Sequence, residues 1–168
     1  KEGDIQLSEM LGLCIDHLGD EEPFIIVCEE GRIDWSAHGN KTMSMVYDVL
    51  SLDETVKKAL EFYYAHPYET LIVVTADHET GGPAIGDGQE WKSDYIDWEI
   101  LEKSWIECGG KNNLNRQDNR ALNYAAQVGW TTENHSGAPV PVYAIGKGAE
   151  RFHGRINNID IKGLILGK

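Results

Sequence analysis

The chain has 168 residues, 41% of them hydrophobic and 26% charged, which suits a single soluble domain with a sizeable core. Its formal net charge of −13 argues against a nucleic-acid-binding or anionic-membrane surface, since both would repel it. Three cysteines, Cys14, Cys28 and Cys108, with no CxxC spacing, exclude a disulfide framework and a zinc knuckle.

Residues 5–18 repeat apolar side chains at helical spacing (Ile5, Leu7, Met10, Leu11, Cys14, Ile15, Leu18) and stop at Gly19. Phe24 to Cys28, after Pro23, is a short β-branched run that predicts a buried strand, with Cys28 a small buried hydrophobe. A helical stripe through Val46, Val49, Leu50, Val56, Ala59, Leu60 and Tyr63 predicts a helix over 41–64, either continuous or restarting at Asp53, and closed by Pro67. Leu71 to Thr75 is the strongest strand signal. Strand, helix, strand in this order predicts a parallel sheet covered by helices. Residues 83–130 break the pattern and hold four of the five tryptophans, so they read as an insert within one domain, with helices near 96–107 and 116–127. Val140 to Ile145 predicts a further strand, and residues 158–166 a terminal helix. The longest apolar runs are too short to span a membrane, and the opening residues carry no signal-peptide pattern. The expectation is a soluble cytosolic protein or a piece of a longer one.

Donor side chains gather where two predicted strands end. The first strand runs into Glu29-Glu30-Gly31-Arg32-Ile33-Asp34-Trp35-Ser36-Ala37-His38, the second into Ala76-Asp77-His78-Glu79-Thr80-Gly81-Gly82. Ligands of open α/β sheets bind at the carboxyl ends of strands. Asp34 and His38 are four apart, so a helical turn faces them the same way, and together they can close on one Zn²⁺. Asp77 and His78 would diverge in a continuing strand but can converge where the backbone turns. His135 lies in Thr131-Thr132-Glu133-Asn134-His135-Ser136-Gly137, just before the last strand. An isolated Asp-His pair or a single histidine is more often a solvated surface feature, so placement carries the argument here. His17, His66 and His153 are read as structural.

These three segments, in this order, resemble the metal motifs of the alkaline phosphatase family. The first follows its pattern E-G-G-R-I-D-x-x-x-H, except that Glu30 stands where glycine is usual; the others match its Thr-Ala-Asp-His and His-Ser-Gly segments. The resemblance covers most of residues 5–168 and is weakest over 83–130. It implies an α/β fold, part of an α/β/α sandwich with a largely parallel sheet flanked by helices. It implies that Asp34, His38 and His135 bind one Zn²⁺, that Asp77 and His78 bind a second, and that Glu29 binds Mg²⁺. The implied activity of the parent is hydrolysis of phosphate monoesters through a phosphoprotein intermediate. There, one zinc activates the nucleophilic serine and the other stabilises the leaving alkoxide.

The resemblance matches the C-terminal portion of the family. The serine nucleophile, the phosphate-clamping arginine and the aspartate shared by zinc and magnesium precede these motifs, so no catalytic residue is assigned here. Ser36 and Arg32 belong to the metal motif and read as structural. The chain alone is therefore expected to be inactive, its parent periplasmic or secreted. Loss of preceding strands would expose a sheet edge and favour homodimerisation. The rival readings are a non-catalytic metal-binding domain and a phosphodiesterase or sulfatase of the same superfamily.

Overall fold

A computed structural model describes residues 5–19, 22–86, 96–110 and 112–168. In chain order the elements are helices α1 (Leu7–Leu18), α2 (Arg32–His38) and α3 (Thr42–Ala65), then strands β1 (Leu71–Val74), β2 (Glu79–Thr80) and β3 (Pro83–Ile85). Helices α4 (Trp98–Glu107) and α5 (Arg116–Ala125) follow, then strands β4 (Val128–Trp130), β5 (His135–Ser136) and β6 (Tyr143–Gly146), and helix α6 (Ile161–Leu166). The predicted 41–64 segment is one uninterrupted helix. The predicted 158–166 helix divides into a 3₁₀ turn at 158–160 and the shorter α6. The predicted insert spans β3, α4, α5 and β4, and its residues 87–95 and 111 lie outside the described residues.

The chain forms two compact units, one of residues 1–29, 51–77 and 139–168 and one of residues 30–50 and 78–138. In the first, β1 and β6 pair antiparallel, from Leu71 opposite Gly146 to Val74 opposite Tyr143. Gly146 is required here: its φ is +98°, and a Cβ would overlap the Thr70 carbonyl. Phe24 packs on Phe62, whose ring stacks on His66 at 4.5 Å.

Two sequence expectations differ from what the described residues show. Phe24–Cys28 is extended but has no strand pairing, Ile25 and Val27 are 69% and 89% exposed, and Cys28 is exposed rather than buried. An apolar β-branched run signals a demand for burial without naming the neighbour that would meet it. The parallel sheet is likewise not found among the described residues, where all three strand pairings are antiparallel.

The second unit has the tighter core. Met43, Leu101, Ala126 and Val128 are buried together, flanked by Ile96, Ile100, Leu122, Trp105 and Trp130. Trp105 also stacks on Tyr47 at 4.8 Å. Strand β3 pairs antiparallel with β4, and β2 with β5. Beside this apolar centre lies a buried polar network. The Asn40 carbonyl accepts from the side-chain amides of Asn119 (2.6 Å) and Asn123 (2.7 Å). Thr42 donates to Asn123 (2.7 Å) and accepts from the Trp130 indole N–H (3.0 Å). Each group lost would leave buried partners unsatisfied, at about 1–3 kcal/mol. Asn123→Ala should therefore destabilise the chain by about 1–3 kcal/mol in equilibrium urea unfolding. An unchanged midpoint would show that the network is dispensable.

Candidate metal centre

Helix α2 presents Asp34 and His38 on one face, as their spacing requires. Its end is fixed by the turn into α3: Asn40 has φ +49°, its N–H donates to the Ala37 carbonyl, and the Lys41 N–H donates to the Ser36 carbonyl (both 2.9 Å). Ser36 is buried and donates to Asp48 at 2.5 Å, while Arg32 reaches the other Asp48 oxygen at 3.5 Å. Both motif residues thus brace α2 against the start of α3.

The loops carrying His78 and His135 are stitched by β2 and β5, where Thr80 stands opposite His135 and Glu79 opposite Ser136. Gly81 donates to the Asn134 carbonyl (3.0 Å), and the Gly81 carbonyl accepts from Thr131 (3.0 Å) and Thr132 (3.1 Å). The Glu79 carboxylate accepts from the Gly82 N–H (2.7 Å) and from the Ser136 hydroxyl.

Four of the six predicted ligands meet within this unit. His38 Nε2 lies 3.1 Å from His135 Nε2 and 3.4 Å from Asp34 Oδ1, and His135 Nε2 lies 3.6 Å from that same oxygen. Tetrahedral Zn²⁺ with nitrogen and oxygen ligands at about 2.0–2.1 Å separates them by about 3.3–3.4 Å, so the three atoms have the spacing of a shared cation. His78 joins the cluster: one donor atom each from Asp34, His78 and His135 lie within 4.8 Å of one another, and the His78 and His135 rings stack at 3.5 Å. Glu29 and Asp77 are exposed residues of the other unit and are not members of this cluster.

The surrounding hydrogen bonds aim these atoms. His38 Nδ1 lies 2.6 Å from the Glu133 carbonyl, which can only accept. Nδ1 therefore carries the proton and Nε2 keeps its lone pair, the tautomer a metal ligand needs. Thr80 donates to Asp34 Oδ1 at 2.7 Å and lies 3.2 Å from His78 Nδ1. Sequence reading missed Thr80, Glu79 and Glu133. Thr80 was within reach, because residues two apart share a face of an extended segment and His78 had been singled out. The Glu133 contribution is a backbone carbonyl, for which no side-chain pattern exists.

A sequence model of the alkaline phosphatase family matches residues 1–166. The chain belongs to the alkaline phosphatase family. Alkaline phosphatase 4 of Bacillus subtilis (strain 168) is 29% identical over 95% of this chain and 42% of its own length. Cold-active alkaline phosphatase from the psychrophile Shewanella sp. has the same fold, with a TM-score of 0.79 at 24% identity over 96% of this chain and 49% of its own. Alkaline phosphatase from the Antarctic bacterium TAB5 gives a TM-score of 0.71 at 29% identity, covering 96% of this chain and 40% of that one. A variant of the TAB5 protein has been solved with Mg bound in its M3 site. The chain spans less than half the length of each of these relatives.

The cluster in this family member also depends on a glycine. Gly81 has φ +88°, and a Cβ there would sit 2.5 Å from the Trp130 ring and 3.1 Å from the Ala37 carbonyl at the end of α2. Gly81→Ala should cost about 2–4 kcal/mol, from left-handed strain and overpacking together. It should weaken divalent-cation binding in parallel. Wild-type stability in thermal melts would refute this account of the α2 contact.

Proposed function

We propose that the whole protein is a metal-dependent phosphomonoesterase of the alkaline phosphatase type, to which these residues contribute metal-holding side chains. The observation that carries this is the mutual approach of Asp34 Oδ1, His38 Nε2 and His135 Nε2 to 3.1–3.6 Å. One carboxylate and two neutral imidazoles form a donor set suited to Zn²⁺, and three protein ligands leave a fourth position for substrate. By family resemblance His78 is assigned with Asp77 to a second Zn²⁺, and Glu29 to Mg²⁺. Bound cations would supply Lewis-acid stabilisation of the negative charge that develops on phosphoester oxygens.

The chain's own residues do the positioning. The Glu133 carbonyl holds the His38 ring in its donor tautomer, and the Thr80 hydroxyl orients Asp34. Recognition through the phosphoryl group would accept many phosphate monoesters. A periplasmic or secreted location fits this reading. Among the described residues no helix is long and apolar enough to cross a membrane.

Calorimetric titration should show one Zn²⁺ bound through these side chains, and joint replacement His38→Ala, His135→Ala should lower affinity by more than about 100-fold, beyond the loss of an orienting neighbour. Unchanged stoichiometry and affinity in that variant would sink the ligand assignment. The 168-residue polypeptide by itself should hydrolyse an aryl phosphate only at the buffer rate, because none of its residues is assigned as the nucleophile. Robust turnover by it would overturn that division of labour.

A further inference from the structure

We propose that Thr80 is a positioning residue whose single hydroxyl prepares two side chains of the cluster, Asp34 and His78, together for cation binding. The inference rests on the reading of the cluster as a metal centre. It starts from proton counting at one oxygen. A threonine hydroxyl has one proton to give and two lone pairs to receive with. Thr80 Oγ1 lies 2.7 Å from Asp34 Oδ1, a distance that two acceptors could not hold, so the proton points at the carboxylate.

Its lone pairs are then all that remains for His78 Nδ1 at 3.2 Å, and that contact is a hydrogen bond only if Nδ1 is the donor. In neutral His78 the proton is thereby placed on Nδ1, and Nε2 is left as the ligand nitrogen. Asp34 Oδ1 is fixed by the same hydroxyl, with its remaining lone-pair side toward the two Nε2 atoms of His38 and His135 at 3.4 and 3.6 Å.

The placement of Thr80 is not adjustable. It is paired with His135 in the two-residue ladder of β2 and β5, so its backbone moves with a third ligand. A cation that draws Asp34 into place therefore also fixes the hydroxyl that sets His78, and the converse holds. Threonine meets the need with its hydroxyl alone, so serine should substitute for it, whereas valine keeps the shape and removes the proton donor.

Two measurements test this. The first needs no metal: ¹⁵N NMR of the histidine rings in metal-free protein, at a pH where they are neutral. Wild type and Thr80→Ser should show His78 protonated on Nδ1, and Thr80→Val should lose that fixed assignment. Retention of the Nδ1 tautomer in Thr80→Val would overturn the proposal. The second is a zinc titration on the same folded proteins. Thr80→Val should keep its stoichiometry while losing about 10–100-fold in zinc affinity, and Thr80→Ser should restore it. Wild-type zinc affinity in Thr80→Val would also overturn it. If wild type binds no zinc, the metal-centre reading fails, and the tautomer result still decides the role of Thr80.

Discussion

The end of α2 that carries His38 is held by one backbone carbonyl, that of Asn40, accepting from two buried amides of α5 at 2.6 and 2.7 Å. Asn40 sits in the left-handed turn between α2 and α3, so fixing it fixes the last turn of α2 and with it His38. The Asn123 side chain also accepts from Thr42, which in turn accepts from Trp130, whose ring packs on the glycine following Thr80. A few buried polar groups therefore register three loops. Apolar packing alone would leave that register looser, because dispersion is not directional and hydrogen bonds are.

The helices were legible because a 3.6-residue stripe encodes both the element and its buried face. The segments 98–107 and 116–125 emerged close to their expected bounds even though they are short and polar. Each carries its own start signal, with Asp97 accepting from the Ile100 N–H and Asn115 from the Asp118 N–H. Strand pairing was not legible. Phe24–Cys28 has the composition of a buried strand and no hydrogen-bonded neighbour, because pairing is a long-range property that a local run cannot specify.

The candidate site was legible to the extent that function sits in side chains of rare type at fixed spacing. Asp34 and His38 needed only a helical turn, and His135 needed its place beside a strand. What surrounds them was hidden for two different physical reasons. Glu133 acts through its main chain, which any residue supplies. Thr80 acts through a hydroxyl common on every protein surface, and only the register of β2 against β5 gives it a role. The mechanism by which a ligand is aimed thus leaves a fainter trace in sequence than the ligand does.

The two-handed grip of Glu79 has a consequence for how this part of the chain moves. Its carboxylate closes on the Gly82 N–H at one end and the Ser136 hydroxyl at the other, around a ladder only two residues long. Such a ladder would ordinarily fray from either end. With both ends tied to one side chain, the amides of Gly81, Thr131 and Thr132 are released only when the whole clasp lets go. Their exchange with solvent then reports a single opening event, so the residues that orient the cluster breathe together or not at all.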